Sequence, residues 1–262
     1  MNVGRQVFGA AAIFLGVIGV VSGDFALVWQ PVPPGLPARS VFAVATGLLL
    51  IIGGALACSR RRAALGGAIL GVLYALCVVL LHVPDVFARP TSVNAYAGVA
   101  EQLSLVCGGV LVYAAYGRLE EMLRRRLIHA ALIAYAVCLL MFGFVHFYYS
   151  SETAAYVPAW LPPGQLFWAY ATGVGHIAAG VALILGLWTR VAMRLLVLMF
   201  VSFSVFVHLP LLLADAHSHL SWVMNAMNLC LTGAAWVVLD QTASLNPSFV
   251  SDKVARSELA TR

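Results

Sequence analysis

The chain has 262 residues, of which 62% are hydrophobic and only 10% charged, and its mean hydropathy is +0.95. Soluble domains carry about 25% charged residues, so this composition excludes an ordinary soluble protein and indicates a membrane protein. The net charge of +5 would suggest nucleic-acid binding in a soluble chain. Here the basic residues lie between apolar runs, where they act as topology signals, so the lipid bilayer is the expected partner and nucleic acid is not.

Apolar runs long enough to cross a bilayer occur eight times. A hydrocarbon core of about 30 Å requires about 20 apolar residues in a helix. Each run is bounded by charged residues, proline or both, and none alternates with the period of two that is typical of a barrel strand. The predicted membrane-spanning helices are 6–27, 41–57, 63–83, 96–117, 127–149, 166–188, 191–212 and 221–239.

A pattern of residues in the first half of the chain recurs 126 positions later. Ala45-Thr46-Gly47 and His82-Val83-Pro84 correspond to Ala171-Thr172-Gly173 and His208-Leu209-Pro210. An internal repeat fixes how many structural units a chain contains. The sequence therefore predicts two units of four membrane-spanning helices each.

The repeat also sets the predicted domain boundaries. The first unit covers residues 1–117, a cytoplasmic linker covers 118–126, the second unit covers 127–240, and a cytoplasmic tail covers 241–262. The apolar N-terminal run has the form of a signal peptide. Because the second unit begins with an equivalent apolar run, we expect the first to be a retained helix.

The basic residues predict the orientation of the helices. Of the 15 Lys and Arg residues, 13 fall on one side of the predicted spans, and only Arg39 and Arg89 fall on the other. Positive charge marks the cytoplasmic side, so both termini are expected in the cytoplasm, with the chain in a bacterial inner membrane. Four spans per unit make the two units run the same way, related by a pseudo-twofold axis along the membrane normal. The predicted fold is an all-α membrane protein with eight transmembrane helices in two parallel-repeat four-helix bundles.

Nearly all residues able to support chemistry fall in the outer half of the predicted bundles. His176 is the eleventh residue of its span, close to the bilayer midplane, where ionisable groups are costly and usually mark a site. The alternative is a neutral imidazole bonded to a backbone carbonyl or to Thr172. Glu101 lies little more than one turn below the outer surface, so it must pair, stay protonated or touch water. His82 is its nearest suitable partner, in a functional or a purely structural pair.

Three further histidines complete the candidate site. His82 and His208 each precede a Val-Pro or Leu-Pro step, so each is either functional or a cation at a helix C-terminus that proline then stops. His146 lies in an aromatic run, where it could hydrogen-bond a quinone carbonyl between rings or anchor the helix at the interface. The candidate ligand-binding residues are thus His146, His176, His208, His82 and Glu101, and no catalytic residue is assigned.

No metal site is expected. Asp215-Ala216-His217-Ser218-His219 offers suitable ligand types, but two histidines two positions apart, without a defined third and fourth ligand, favour a solvated loop. The five cysteines all lie in apolar segments without a C-x-x-C pair, so they are interpreted as small hydrophobic residues.

Several short motifs of the second unit occur in a recognisable order. They are Gly143-Phe144-Val145-His146-Phe147, Val157-Pro158-Ala159-Trp160-Leu161-Pro162, Thr172-Gly173, Ala179-Gly180, Arg190 and Val207-His208-Leu209-Pro210. This order resembles the DoxX-like family of small four-helix membrane proteins. The first unit resembles it more loosely, through Ala45-Thr46-Gly47, His82-Val83-Pro84, Glu101 and Gly108-Gly109, so the chain looks like two fused DoxX-like units.

The resemblance implies a function only in outline. DoxX-like proteins are associated with quinone-linked thiosulfate oxidation or with membrane oxidoreductase complexes. The resemblance therefore implies a quinone as the cofactor, with a b-type haem as the second choice, and a partner oxidoreductase subunit. His176 stands where many relatives have an acidic residue, and the first unit has Val21-Ser22 in place of the His146 motif. Family chemistry is therefore expected in one unit.

Two other classes of function stay open. A non-enzymatic membrane module that binds a partner protein or a lipid would use the buried polar groups only to hold helices together. A small transporter ranks last, because no predicted helix is broken in mid-membrane by a Gly-Pro step.

Overall fold

The computed structural model describes residues 3–244, which are almost entirely helical and contain no strand. Eight helices of this part are long and apolar enough to cross a bilayer, which confirms the predicted all-α membrane fold. Residues 245–262, most of the predicted tail, lie outside the described part. In chain order the eight helices are α1 (Val3–Ser22), α2 (Arg39–Cys58), α3 (Ala63–Ala88), α4 (Val93–Tyr116), α5 (Glu121–Tyr148), α6 (Gln165–Leu185), α7 (Thr189–Ala214) and α8 (His219–Ser244).

The start of α5 differs from the predicted boundary. The helix begins at Glu121, inside the predicted linker over 118–126. The Glu121 carboxylate accepts hydrogen bonds from Arg124 at 3.2 Å and from Arg125 at 2.7 Å. Pairs three and four residues apart stabilise an exposed helical turn, so the helix extends from the membrane into the polar connection.

Helices α3 and α7 each contain a π-helical segment, over Val78–His82 and Ser204–His208, at positions 126 residues apart. The sequence predicted that the third span ends just before Pro84, but α3 continues through this proline to Ala88. Proline donates no amide hydrogen bond, and its ring crowds the carbonyl four residues earlier. A widened turn relieves this crowding, so the helix passes the proline instead of stopping.

The eight helices form a ring. Helices adjacent in the chain pack together from α1 to α8, α1 also packs against α8, and α4 packs against α8 across the middle. Every neighbour pair within α1–α4 has a counterpart within α5–α8, and the α1–α8 contact corresponds to the contact between α4 and α5. These contacts agree with the parallel repeat, which remains a prediction.

Glycines set the distance between the first two helices of each half. A Cβ added to Gly16 would lie 2.5 Å from the Gly47 carbonyl oxygen, and one added to Gly47 would lie 2.7 Å from the Gly16 oxygen. In the second half, a Cβ added to Gly143 on α5 would lie 2.8 Å from the carbonyl oxygen of Gly173 on α6. Small residues at such contacts let membrane helices approach closely. This close approach brings the polar residues of α5 and α6 together.

Candidate functional site

Two histidines meet where α5 and α6 approach each other. The imidazole rings of His146 and His176 have their centroids 5.0 Å apart, with an interplanar angle of 53°. The contact depends on Gly173, because a Cβ at this position would lie 3.0 Å from the Cβ of His146. The structure therefore joins two of the five predicted site residues directly.

Aromatic rings enclose this histidine pair. Phe142 and Phe200 present their rings to His176 at centroid distances of 5.5 Å and 5.4 Å, both close to edge-on. Phe203 stacks on His146 at 6.4 Å with an interplanar angle of 19°, and it lies 6.4 Å from His176. Phe142 belongs to α5, whereas Phe200 and Phe203 belong to α7. Three helices thus build an apolar box around two imidazoles.

The His176 ring is 1% exposed, and its Nδ1 atom has no hydrogen-bond partner. The sequence left open a bond from this ring to Thr172, but the Thr172 hydroxyl donates to carbonyl oxygens of its own helix, at Trp168 and Ala169. Buried polar atoms are nearly always hydrogen-bonded, and each exception requires an explanation. An unpaired nitrogen inside an aromatic box can hydrogen-bond an ordered water or a ligand.

The geometry of His146 assigns its tautomer. Its Nδ1 atom lies 2.9 Å from the carbonyl oxygen of Phe142. A carbonyl oxygen only accepts, so Nδ1 carries the proton, and in the neutral ring Nε2 is left as an acceptor. A half-buried imidazole with a fixed acceptor nitrogen can take a proton from a hydroxyl group.

Two further side chains of the second half each have a buried nitrogen without a hydrogen-bond partner. The Nδ1 atom of His208, at the end of the π segment of α7, is buried without one, and so is the Nδ2 atom of Asn225 on α8. The π segment of α7 packs against α8. Asn225 was not among the predicted site residues, although an asparagine in an otherwise apolar span is a sequence signal that could have identified it.

The two remaining predicted residues, His82 and Glu101, lie in the first half of the chain, around Trp29. The Trp29 carbonyl oxygen lies 3.1 Å from His82 Nε2 and accepts a hydrogen bond from Gln102 Nε2 at 2.8 Å. The Trp29 side chain is hydrogen-bonded to Glu101. The expected His82–Glu101 pair is not among the ion pairs of the described residues, because the connection after α1 folds inward and bonds to both side chains.

The first residue of α8 makes a structural contact. His219 Nε2 lies 3.1 Å from the carbonyl oxygen of Phe25, which ties the start of α8 to the connection after α1. Among the residues that the structure describes, no three His, Cys, Asp or Glu side chains are grouped to hold a metal ion.

A haem does not fit between the two central histidines. The rings of His146 and His176 touch at a centroid distance of 5.0 Å. Axial ligands of one haem lie on opposite faces of its macrocycle. Two imidazoles in contact leave no space for a macrocycle between them, so this pair is not a set of axial ligands.

The fold and these buried side chains define the class of protein: an integral membrane protein whose described residues form eight membrane-spanning helices with a polar cluster in their apolar interior. The family model described as DoxX matches residues 127–209, which include α6 and most of α5 and α7. This stretch of the chain is accordingly similar to the DoxX family, and it contains His146, His176 and His208. No curated protein and no solved structure matches the chain.

Proposed function

We propose that the protein is a membrane subunit of a quinone-linked oxidoreductase system and binds a quinone in the outer half of the α5–α8 unit. The observation that carries this proposal is the His176 imidazole, which is buried among aromatic rings with an unpaired nitrogen. A quinone is a flat apolar ring with carbonyl oxygens at its edge, so it suits an aromatic box that holds a few polar atoms.

The two central histidines have complementary roles in this proposal. His176 hydrogen-bonds one oxygen of the head group through its unpaired nitrogen. His146 accepts a proton at Nε2 when a quinol is oxidised, because its Nδ1 proton is engaged by the Phe142 carbonyl. Oxidation of the quinol releases two protons and two electrons, and the electrons pass to a partner oxidoreductase subunit.

His208 belongs to the proposed site as a second polar group with an unpaired nitrogen. His82 and Glu101 are assigned a structural role instead, because both side chains already bond to Trp29 of the same chain. This assignment confines the ligand to one half of the molecule. It also agrees with the family match, which lies in that half.

The proposal places the protein in a bacterial inner membrane with both termini in the cytoplasm. The support is the distribution of basic residues, 13 of 15 on one side of the helices. His146 lies near the end of α5 that this orientation directs outward. The quinone would then exchange with the outer leaflet.

The test compares two histidines of α5 and α6 that differ in environment. Purified protein is examined for co-extracted quinone, and its thermal stability is measured with and without a short-chain quinone. We expect quinone to raise the Tm of the wild type and of a His129→Leu control, since His129 is exposed. His176→Leu is expected to fold and to lose this response. The proposal would be refuted if the wild-type protein contains no co-extracted quinone and its Tm does not change when quinone is added.

A non-enzymatic module that binds a partner protein or a lipid is the second candidate. The observation in its favour is the first half, where His82, Gln102 and Glu101 all bond to Trp29 and act to hold helices together. If His176→Leu is as stable as the wild type and neither responds to quinone, this alternative replaces the first.

A further inference from the structure

We infer that Asn228 on α8 is a positioning residue for the quinone site, which holds α7 so that Phe200 and Phe203 close the aromatic box around His176. This inference rests on the proposed function. The Asn228 side chain bonds to α7 and not to the imidazoles, so its effect on the ligand is exerted through α7.

The geometry of Asn228 is that of a clamp between two helices. Its side chain is 5% exposed, and its Nδ2 atom donates to the Phe200 carbonyl oxygen at 3.1 Å and to Ser204 Oγ at 2.7 Å. The Phe200 acceptor lies one turn before the π segment Ser204–His208, and Ser204 is its first residue. Both hydrogens of the amide are used, so the side chain fixes α7 in position and in rotation.

Apolar packing alone would not hold this part of α7. The fully buried residues of α7 are Met193, Leu196, Val197 and Phe200. Between Phe200 and the end of the helix at Ala214, no residue is fully buried. The helix therefore leaves the packed core at the turn that Asn228 holds. Without a hydrophobic driving force between membrane helices, polar contacts and close packing fix their arrangement.

The rings attached to this turn are those that define the site. Phe200 carries the carbonyl that Asn228 binds, and its ring lies 5.4 Å from the His176 ring. Phe203, one residue before the second acceptor, stacks on His146. A shift of α7 would open the wall that separates His176 from lipid.

The first half lacks this clamp. Gln102 occupies the position 126 residues before Asn228, and its Nε2 atom donates to the Trp29 carbonyl rather than to α3. The corresponding π segment is fixed by His82, which is 2% exposed and bonded to Trp29. The Asn228 contact is thus specific to the half that carries the proposed ligand site.

The experiment uses the full chain in detergent and three variants. Asn228→Leu removes both donors. Ser204→Ala removes one acceptor and is the milder test if Asn228→Leu does not fold. Thr232→Val is the matched control, because Thr232 is 2% exposed on the same helix but its hydroxyl bonds only the Asn228 carbonyl within that helix.

Two quantities are measured: the affinity for a short-chain quinone and the rate at which diethyl pyrocarbonate modifies His176, mapped by mass spectrometry. The loss of buried hydrogen bonds is expected to weaken quinone binding by about five- to tenfold in Asn228→Leu. Ser204→Ala should have a smaller effect in the same direction. His176 should become more reactive in both, while Thr232→Val behaves as the wild type in both measurements.

The outcomes separate this inference from the proposed function. If the wild type does not bind quinone, the proposed function fails, and the reactivity of His176 still tests whether Asn228 positions α7. If Asn228→Leu, or Ser204→Ala where the former does not fold, matches Thr232→Val in affinity and reactivity, the positioning role is refuted. An equal loss of affinity in Thr232→Val would show a general effect of α8 packing and would also refute it.

Discussion

Replacing Gly143 with alanine tests whether the close contact of α5 and α6 builds the site. The added Cβ would lie 2.4 Å from Ile177 Cγ1 and 2.8 Å from the backbone oxygen of Gly173. The isoleucine can move in part, but the backbone cannot, so the helices must separate. Overpacking costs about 1–3 kcal/mol, and the better helix propensity of alanine returns up to about 1 kcal/mol. We expect a net loss of about 1–2 kcal/mol.

Gly175→Ala is the matched control on α6. A Cβ at Gly175 would meet only Met199 Sδ at 3.2 Å and its Cε at 3.7 Å, both on a flexible side chain. This substitution should be neutral or should stabilise the protein by up to about 1 kcal/mol through helix propensity. The free energy of unfolding is measured by titration with a denaturing detergent, and quinone affinity is measured in parallel. Of the two glycines, only Gly143 lies in the contact between α5 and α6. Equal stabilities and equal quinone affinities for the two variants would therefore refute the reasoning.

Two further predictions concern buried polar groups outside the proposed site. His82→Leu should lower the free energy of unfolding by about 1–3 kcal/mol, since it removes a buried partner of the Trp29 carbonyl, and should leave the quinone-induced change in Tm as in the wild type. A lost quinone response would place His82 in the ligand site. Tyr135→Phe should leave stability unchanged or raise it by up to about 2 kcal/mol, because the Tyr135 hydroxyl is buried without a partner. A clear decrease in thermal stability would show that this hydroxyl makes a bond.

The sequence was sufficient to predict the spans because membrane helices are specified by local composition. All eight predicted helices occur, and two of the larger differences at their ends, at the start of α5 and at the end of α3, have local causes. The start of α5 moved to Glu121 through its pairs with two arginines, and α3 passed Pro84 through a widened turn. A π segment depends on hydrogen bonds that span five residues within a packed helix. The residue pattern of the span did not predict it, and the proline was interpreted as the end of the helix.

The residues of the candidate site could be selected from the sequence by their type, whereas their contacts could not be predicted. Burial of a histidine in an apolar span is readable from its position, so His146 and His176 could be selected. Their contact depends on the distance between α5 and α6, which the sequence suggested only through its small residues. The partner of Glu101 could not be predicted from the sequence, because Trp29 lies in a connection more than 70 residues earlier in the chain.

The two halves share one framework but differ in how their polar side chains are paired. Each half brings its first two helices together on glycines and widens its third helix just before a proline. In the first half the inward turn at Trp29 supplies a carbonyl oxygen to His82 and Gln102, so both side chains bond to the chain itself, although the acceptor Oε1 of Gln102 is left without a partner. In the second half His176, His208 and Asn225 each keep an unpaired nitrogen. Because unpaired buried polar atoms are costly, a molecule with acceptor oxygens would gain hydrogen bonds from the nitrogens of the second half, whereas Gln102 Oε1 in the first half is itself an acceptor and cannot bond to them.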